Sequence, residues 1–417
     1  VQLLVLCPHY SPDLAPTGVV MTAIAENLAA LGHRLHVVTA LPWYQHHAVE
    51  PQWQGRAVRT EETAWGRITR VHPFPTDKRN IRARALGFAG FTGLATAIAV
   101  ASRPRPDVVL AMSPPLPIGM AGLAVARARR APFVFNIQDV FPDVAVELGL
   151  LTDRRVIRAA AWAERATYGQ ADAVTVLSQD LRDNVVAKLA RVRGRRARRT
   201  LVEVIPNFVD CERIAPADHD NDYRREHDLV GRTVVMYAGN VGFSQSLDLL
   251  VAAARRLRDR PEVVFVVNGG GSALASLTES ARDLPNVRFV GYQPIERLPE
   301  VLAAGDIHLV PLKRGLAKAS VPSKLYSVLA AGRPVLASVD PGTEVARTLE
   351  AAGAGRSVPP EDPDAFVAAL EAMLADPAGR AAMGASGRRF VEGWASPRAV
   401  ATHYAALFER LVHRPAR

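Results

Sequence analysis

Short runs of β-branched residues alternate with longer Ala-, Leu- and Arg-rich stretches along this chain, and the alternation begins twice. The first half reads as strand 3–7, helix 22–31, strand 34–39, strand 107–111, helix 118–129, strand 133–137, helix 154–168 and strand 173–177. Short apolar runs separated by helical stretches are the pattern of parallel strands covered on both faces and joined by crossover helices. From Thr233 the rhythm starts afresh, with strands at 233–238, 262–267, 287–290, 307–310 and 334–337, and a helix at 247–257 after the first. The predicted fold class is α/β, with two tandem Rossmann-like, doubly wound parallel sheets. Between them the stretch 210–232 is polar and acid-rich with no apolar period, which supplies a boundary. The predicted organisation is a first domain over 1–209, a second over 210–395, and a terminal helical segment over 396–417.

At 417 residues the chain can bury two cores. Lys and Arg outnumber Asp and Glu by 51 to 41, and the net charge of +10 favours anionic partners. Only Cys7 and Cys211 occur, which is no disulfide framework and suits a reducing cytoplasm. The apolar start Val1–Cys7 runs into Pro8 and reads as a strand, not a leader. The uncharged stretch Ala85–Ala101 contains Gly87, Gly90 and Gly93 and falls short of the ~20 strongly apolar residues that a spanning helix needs.

In doubly wound sheets, ligands sit at the carboxyl ends of the strands, where glycine turns let backbone N–H groups approach phosphate. Candidate turns are Gly239-Asn240-Val241-Gly242, Gly269-Gly270-Gly271-Ser272 and Pro16-Thr17-Gly18. For any one of them, a tight turn without a ligand is an equal reading. None completes the dinucleotide fingerprint, so no nicotinamide cofactor is expected. Pro322 and Ser323 look like a helix start that places Lys324 in the first turn. A lysine there opposes the helix dipole, and a bound diphosphate would give it a reason.

Tyr10-Ser-Pro-Asp13, Pro16-Thr-Gly18, Pro206-Asn-Phe-Val-Asp210, Tyr237-Ala-Gly-Asn-Val-Gly242 and Val321-Pro-Ser-Lys324 through Gly332-Arg-Pro334 together span the chain. In that order they resemble the family-4 retaining glycosyltransferases of the GT-B fold, within them the branch that builds bacterial O-antigen, colanic acid and other surface polysaccharides. The resemblance implies a nucleotide-diphosphate sugar as co-substrate, held mainly by the second domain, UDP-sugar being favoured. It also implies a glycan or polyprenyl-linked acceptor held mainly by the first domain, a cleft between the two, and a terminal helix crossing back to the first. Gly239, Asn240, Gly242, Gln245 and Gly269–Gly271 would face the donor, with Ser323 and Lys324 near the diphosphate, Tyr292 beside the base and Gly18 closing from the first domain. The family's Glu-x7-Glu glutamates are replaced by Ala319 and Ser327, and basic residues common after the first strand of the second domain by Asn240 and Gln245. Positive charge at the diphosphate therefore reduces to Lys324 and backbone donors.

Asp139, following the strand at 133–137, is a candidate to contact the acceptor hydroxyl or the donor sugar, and a capping role is equally open. Asp143 and His9 are weaker acceptor-side candidates. The acidic run Asp218–Asp222 reads as a solvated loop or helix cap, and no metal site is expected. The segment Arg191–Arg199 holds six arginines in nine residues, a solvated loop by default. Lys78, Arg79, Arg82 and Arg84 precede a helical stretch on which Phe88, Phe91, Ala95 and Ile98 share a face, which fits either an interfacial anchor or packing on the sheet. The resemblance, whose members often use polyprenyl-linked acceptors, favours contact of residues 78–101 with an anionic membrane surface. The basic residues lack interleaved aromatics or a reading helix, so no nucleic acid is expected. The expected activity is metal-independent transfer of a hexosyl or N-acetylhexosaminyl group, in the cytoplasm or at the inner face of the plasma membrane. A transferase acting on a soluble natural product, a nucleotide-sugar epimerase and an inactive nucleotide-binding scaffold remain open alternatives.

Overall fold

The computed structural model describes residues 1–13, 15–44, 48–75, 81–143, 146, 151–192, 199–242, 244–315 and 324–413, with 81–86 described by backbone alone. The chain divides into two compact units, Val1–Asn207 with Pro397–Arg417, and Phe208–Ser396.

The strands of the first unit are β1 (Gln2–Leu6), β2 (Arg34–Ala40), β3 (Val58–Thr63), β4 (Gly66–Val71), β5 (Val108–Ser113), β6 (Phe133–Ile137), β7 (Ala173–Val176) and β8 (Leu201–Val204). They form an eight-stranded sheet in the order β3-β4-β2-β1-β5-β6-β7-β8. The expectation of a wholly parallel sheet fails at one edge. There β3 pairs antiparallel with β4 through a tight turn, and its polar residues alternate between exposed and half-buried positions. Such a strand needs only one covered face.

The helices α1 (Pro16–Ala30), α2 (Ile81–Ala101), α3 (Pro117–Arg129), α4 (Arg154–Tyr168) and α5 (Gln179–Ala190) make the crossovers. Right-handed crossovers that run one way from β1 and the other way to β5 put α1 on one face and α2 to α5 on the other. Proline opens α1 and α3, while the side chains of Asp153 and Ser178 cap α4 and α5. Such caps satisfy N–H groups that the first helical turn leaves unpaired.

For the apolar stripe of residues 78–101 the structure bears out packing on the sheet. Phe91 and Ala95 lie in the hydrophobic core with Ile98 packed against them, so the apolar stripe of α2 is spent on the sheet and is not offered to lipid. Lys78 and Arg79, and the side chains of Arg82 and Arg84, lie outside the described residues, as do 193–198 of the arginine-rich segment. Among the described residues no helix is long and apolar enough to cross a membrane.

The second unit holds α6 (Asp222–Glu226), β9 (Thr233–Ala238), α7 (Asp248–Arg256), β10 (Val263–Asn268), α8 (Leu274–Ser280), β11 (Val287–Val290), α9 (Leu298–Ala304) and β12 (Ile307–Pro311). It continues with α10 (Lys324–Ala330), β13 (Val335–Ser338), α11 (Glu344–Ala352), β14 (Gly355–Val358), α12 (Pro363–Leu374) and α13 (Pro377–Trp394). Its sheet is wholly parallel, in the order β11-β10-β9-β12-β13-β14. The strand order reverses between β9 and β12, which in such sheets marks the ligand crevice at the carboxyl ends.

The stretch 210–232 is no free linker. Tyr223 and Arg224 of α6 are fully buried. The Arg224 guanidinium donates to Asp306 and to the carbonyls of Leu229, Arg232 and Ala304. A buried charge is tolerated only with such pairing, and here it ties the segment into the second unit.

The last helix, α14 (Pro397–Val412), belongs to the first unit and packs on α1. The buried hydroxyl of Tyr404 accepts from Asn136 of β6 at 2.7 Å and lies 3.2 Å from the hydroxyl of Thr175 of β7. At roughly 1 kcal/mol per satisfied bond these contacts fix the register of α14, whereas the exposed Arg410–Glu203 ion pair adds little.

Candidate active site

In the second unit, residues more than eighty positions apart meet at the strand ends flanking the point where the order reverses. Lys324, the first residue of α10, extends to the end of β9 and donates from Nζ to the hydroxyl of Tyr237 at 2.7 Å. Its ammonium also sits 3.9 Å from the centroid of that ring. The hydroxyl of Tyr237 in turn donates to the carbonyl of Asn240 at 2.6 Å, so one buried phenol aims the lysine and pins the following turn. A Cβ placed on Gly239 would lie 3.5 Å from Nζ.

The two glycine turns of this unit are built against each other. Gly239 and Gly269 adopt φ of +140° and +151°, where a side chain is strained. A Cβ on Gly269 would lie 2.0 Å from the carbonyl oxygen of Gly239, and one on Gly271 2.4 Å from that of Val241. The N–H of Val241 donates to the Gly270 carbonyl at 2.8 Å, locking turn to turn. Tyr292 leans on Gly270 and donates its hydroxyl to that carbonyl at 2.9 Å, yet it remains 63% exposed. That leaves an aromatic face beside the cradle, large enough for a flat ring to stack on.

Not every predicted donor in the turns is available. The N–H groups of Gly239, Val241 and Gly269 are committed to Asn268, Gly270 and Val290, and that of Gly242 to Oε1 of Gln245 at 2.9 Å. The N–H groups of Asn240, Gly270 and Gly271 make no bond to a described residue. Gln245 thus serves as a clamp on the turn. Ser327 lies one turn after Lys324 on α10, and Ser323 lies outside the described residues. The gathered set Tyr237, Gly239–Gly242, Gln245, Gly269–Gly271, Tyr292, Lys324 carries one formal charge, that of Lys324.

Burial pushes the Lys324 ammonium down to about 7, as expected for a cation removed from water with no anion to face. The unfolded chain, with an ordinary lysine value of ~10.4, binds more protons than the folded chain between those limits, so stability rises with pH across the window from about 7 upward. The difference in urea midpoint between the ligand-free parent and Lys324→Met is therefore expected to change in the parent's favour as pH rises through that window. A difference that stays constant with pH would contradict a desolvated lysine.

The first unit holds a second cluster, at the end of β1. The ring of His9 places Nδ1 2.6 Å from Oδ2 of the buried Asp13, stacks on Trp43 with centroids 5.8 Å apart and meets Tyr44 edge-on. Asp13 also accepts the Tyr44 N–H, and Arg70 donates to the carbonyls of Tyr10 and Ser11. A Cβ on Gly18 would lie 3.0 Å from both the Asp13 carbonyl oxygen and the Cβ of His9, so this glycine lets α1 close on the His9 loop. Asp13, Trp43 and Tyr237 were not legible as site residues. Nothing in sequence spacing joins Tyr237 to Lys324, whereas the four-residue interval from His9 to Asp13 was a usable signal.

Asp139 and Asp143 part company. Asp139 follows β6 on the exposed side of a bend, accepts no hydrogen bond from a described residue, and is nevertheless raised above the usual carboxylate range by partial loss of water. Asp143 accepts from Asn184 at 3.0 Å and pairs with Lys188 at 2.9 Å, a lysine that also pairs with buried Glu164. The carboxylate of Asp143 thus already holds α5 in place.

Comparison with known proteins agrees with these features. A family model described as glycosyl transferases group 1 matches residues 232–376, and one described as glycosyl transferase 4-like domain matches 17–207. The putative colanic acid biosynthesis glycosyl transferase WcaI of Escherichia coli is 31% identical over 89% of this chain and 92% of its own. The probable glycosyltransferase WbjE of Pseudomonas aeruginosa is 28% identical over 72% of this chain and 74% of its own. Among solved structures, sucrose-phosphate synthase of Thermosynechococcus elongatus superposes with a TM-score of 0.67 over 99% of both chains at 19% identity. The Anabaena protein HepE, solved in complex with UDP, gives 0.65 over 99% of this chain and 100% of its own at 15% identity. At those identities the structural likeness speaks to the fold.

Proposed function

The chain belongs to the family-4 glycosyltransferases of the GT-B fold, and on that premise we propose that it moves a sugar from a nucleoside-diphosphate donor to a growing bacterial surface glycan. The observation that carries the donor assignment is the Lys324 ammonium, held by Tyr237 over the Gly239 turn with no carboxylate among its described partners. A diphosphate is the ligand whose charge suits this arrangement. Its oxygens would accept from Nζ and from the N–H groups of Asn240, Gly270 and Gly271, and the base would lie on Tyr292.

In the proposed reaction the bond from the anomeric carbon to the phosphate oxygen breaks and negative charge grows on the departing diphosphate. The acceptor oxygen bonds the same face of the anomeric carbon, retaining configuration, and its proton passes to the departing phosphate oxygen. Lys324 opposes the growing charge in a site where low dielectric strengthens it. His9, oriented by Asp13, and Asp139 are assigned to the acceptor side, where their polar atoms would position the hydroxyl. No step draws on a metal ion. The relation to WcaI, described as acting in colanic acid biosynthesis, supports a polysaccharide acceptor, and the reading takes that acceptor to be a free or lipid-linked glycan in the cytoplasm. UDP is the nucleotide the family resemblance favours; HepE was solved with it, while a relative from Mycolicibacterium smegmatis, 31% identical over 56% of this chain, is described as GDP-mannose-dependent.

A thermal-shift panel of UDP-, GDP- and dTDP-sugars tests the reading. At 100 times its dissociation constant the correct donor should stabilise the fold by ~2.7 kcal/mol. Absence of a shift with every nucleotide at saturating concentration would remove the donor site.

A further inference from the structure

We propose that the outer face of α4 is a docking surface for an anionic phospholipid bilayer. On a helical wheel of about 100° per residue, Arg154, Arg155, Arg158, Trp162 and Arg165 fall within one arc of about 100°. The first three arginines are exposed, and Trp162, between Arg158 and Arg155 on the arc, is 65% exposed, the most open large apolar side chain among the described residues. None of the four arginines forms an ion pair with a described residue, and Arg158 reaches only the Arg154 carbonyl. The acids of the helix region are turned elsewhere. Asp153 caps the N-terminus, and Glu164 is fully buried on the opposite side against Lys188 and Tyr168.

A core-packing role does not account for this face. Exposing a tryptophan among guanidinium groups that have no ion-pair partner among the described residues leaves its apolar surface in water. The chemistry that satisfies both kinds of group together is a headgroup layer, with phosphates for the arginines and an apolar boundary for the indole. Charge complementarity fixes the sign of the lipid. The neighbouring helices of the same layer also expose Met120 and Val186, as expected for a broad outer surface that meets a plane.

The surface lies in the first unit, and its test uses no nucleotide, so it stands or falls apart from the donor assignment. The full chain is sedimented with vesicles of phosphatidylcholine alone or mixed with phosphatidylglycerol, at low and high salt. The parent should bind the anionic vesicles, release from them as salt screens the charge, and ignore phosphatidylcholine. Replacing all four arginines by glutamine should weaken binding on the order of a thousandfold, replacing them by lysine should largely preserve it, and Trp162→Ser should cost several-fold. Circular dichroism and thermal midpoint should not change in these variants, because the side chains are at the surface. Equal binding by the glutamine variant and the parent would overturn the proposal. So would a parent chain that ignores anionic vesicles but binds an oligonucleotide, or one that self-associates through Trp162.

Discussion

Replacing Lys324 by alanine should slow sugar transfer roughly a hundredfold, the consequence of losing one fixed donor to a charge that grows in the transition state, about 3 kcal/mol. The expectation follows from the surroundings of Nζ. Its described neighbours are a phenol ring, a phenol oxygen and a glycine turn, so no other cation in the gathered set can substitute. In water such a charge would be screened to little. Here it is desolvated strongly enough to depress its own protonation, and an incoming diphosphate would restore the proton and receive a nearly unscreened interaction. Single-turnover rates with the donor identified by the panel check this. The loss should fall on the rate of transfer more than on acceptor binding. Transfer at the parent rate would mean that Lys324 only packs against Tyr237.

The other large effect is expected from Gly269→Ala. The residue sits at φ +151°, and the added methyl would approach the Gly239 carbonyl oxygen to 2.0 Å. Both atoms belong to backbone at the ends of adjacent strands, β9 and β10, so no side-chain rotation relieves the contact and the two turns must separate. The strained conformation and the clash together should destabilise the second unit by about 3 kcal/mol, lowering its thermal midpoint by roughly 6–12 °C. Donor binding should fall with it, because separating the turns moves Gly239 away from Nζ of Lys324. Gly291→Ala is the matched comparison. It lies in the loop after β11 with nothing within 4 Å of the added carbon, and it should leave both stability and binding close to the parent. Equal midpoints for the two variants would show that the turns are not packed as described.

The architecture was legible where burial dictates residue choice. Strands such as β9 and β10 are apolar because both faces are covered, and α4 carries an unbroken helical period, so their limits could be read closely. The β3–β4 hairpin escaped because an edge strand with one covered face carries alternating polar residues such as Arg59, Glu61 and Glu62. The α2 stripe of Phe91, Ala95 and Ile98 was visible as a stripe, but periodicity does not say whether sheet or lipid covers it. Lys324 was singled out from its position at a helix start, and the glycine turns from their place after strands. Their joining through Tyr237 is a tertiary contact across 87 positions. The fate of Asp143 likewise depended on Asn184 and Lys188, which arrive from a different helix.

The account rests on a diphosphate seated by Lys324 at the Gly239 and Gly269 turns. It is tested most directly by calorimetric titration of the parent chain and the Lys324→Ala chain with the nucleoside diphosphate that the panel selects, and with the corresponding nucleoside. The expected result is a large loss of diphosphate affinity in the variant, with nucleoside affinity nearly the same in both, since the base contacts Tyr292 and not the lysine. Equal diphosphate affinity in the two chains would place the phosphates elsewhere and contradict the assignment.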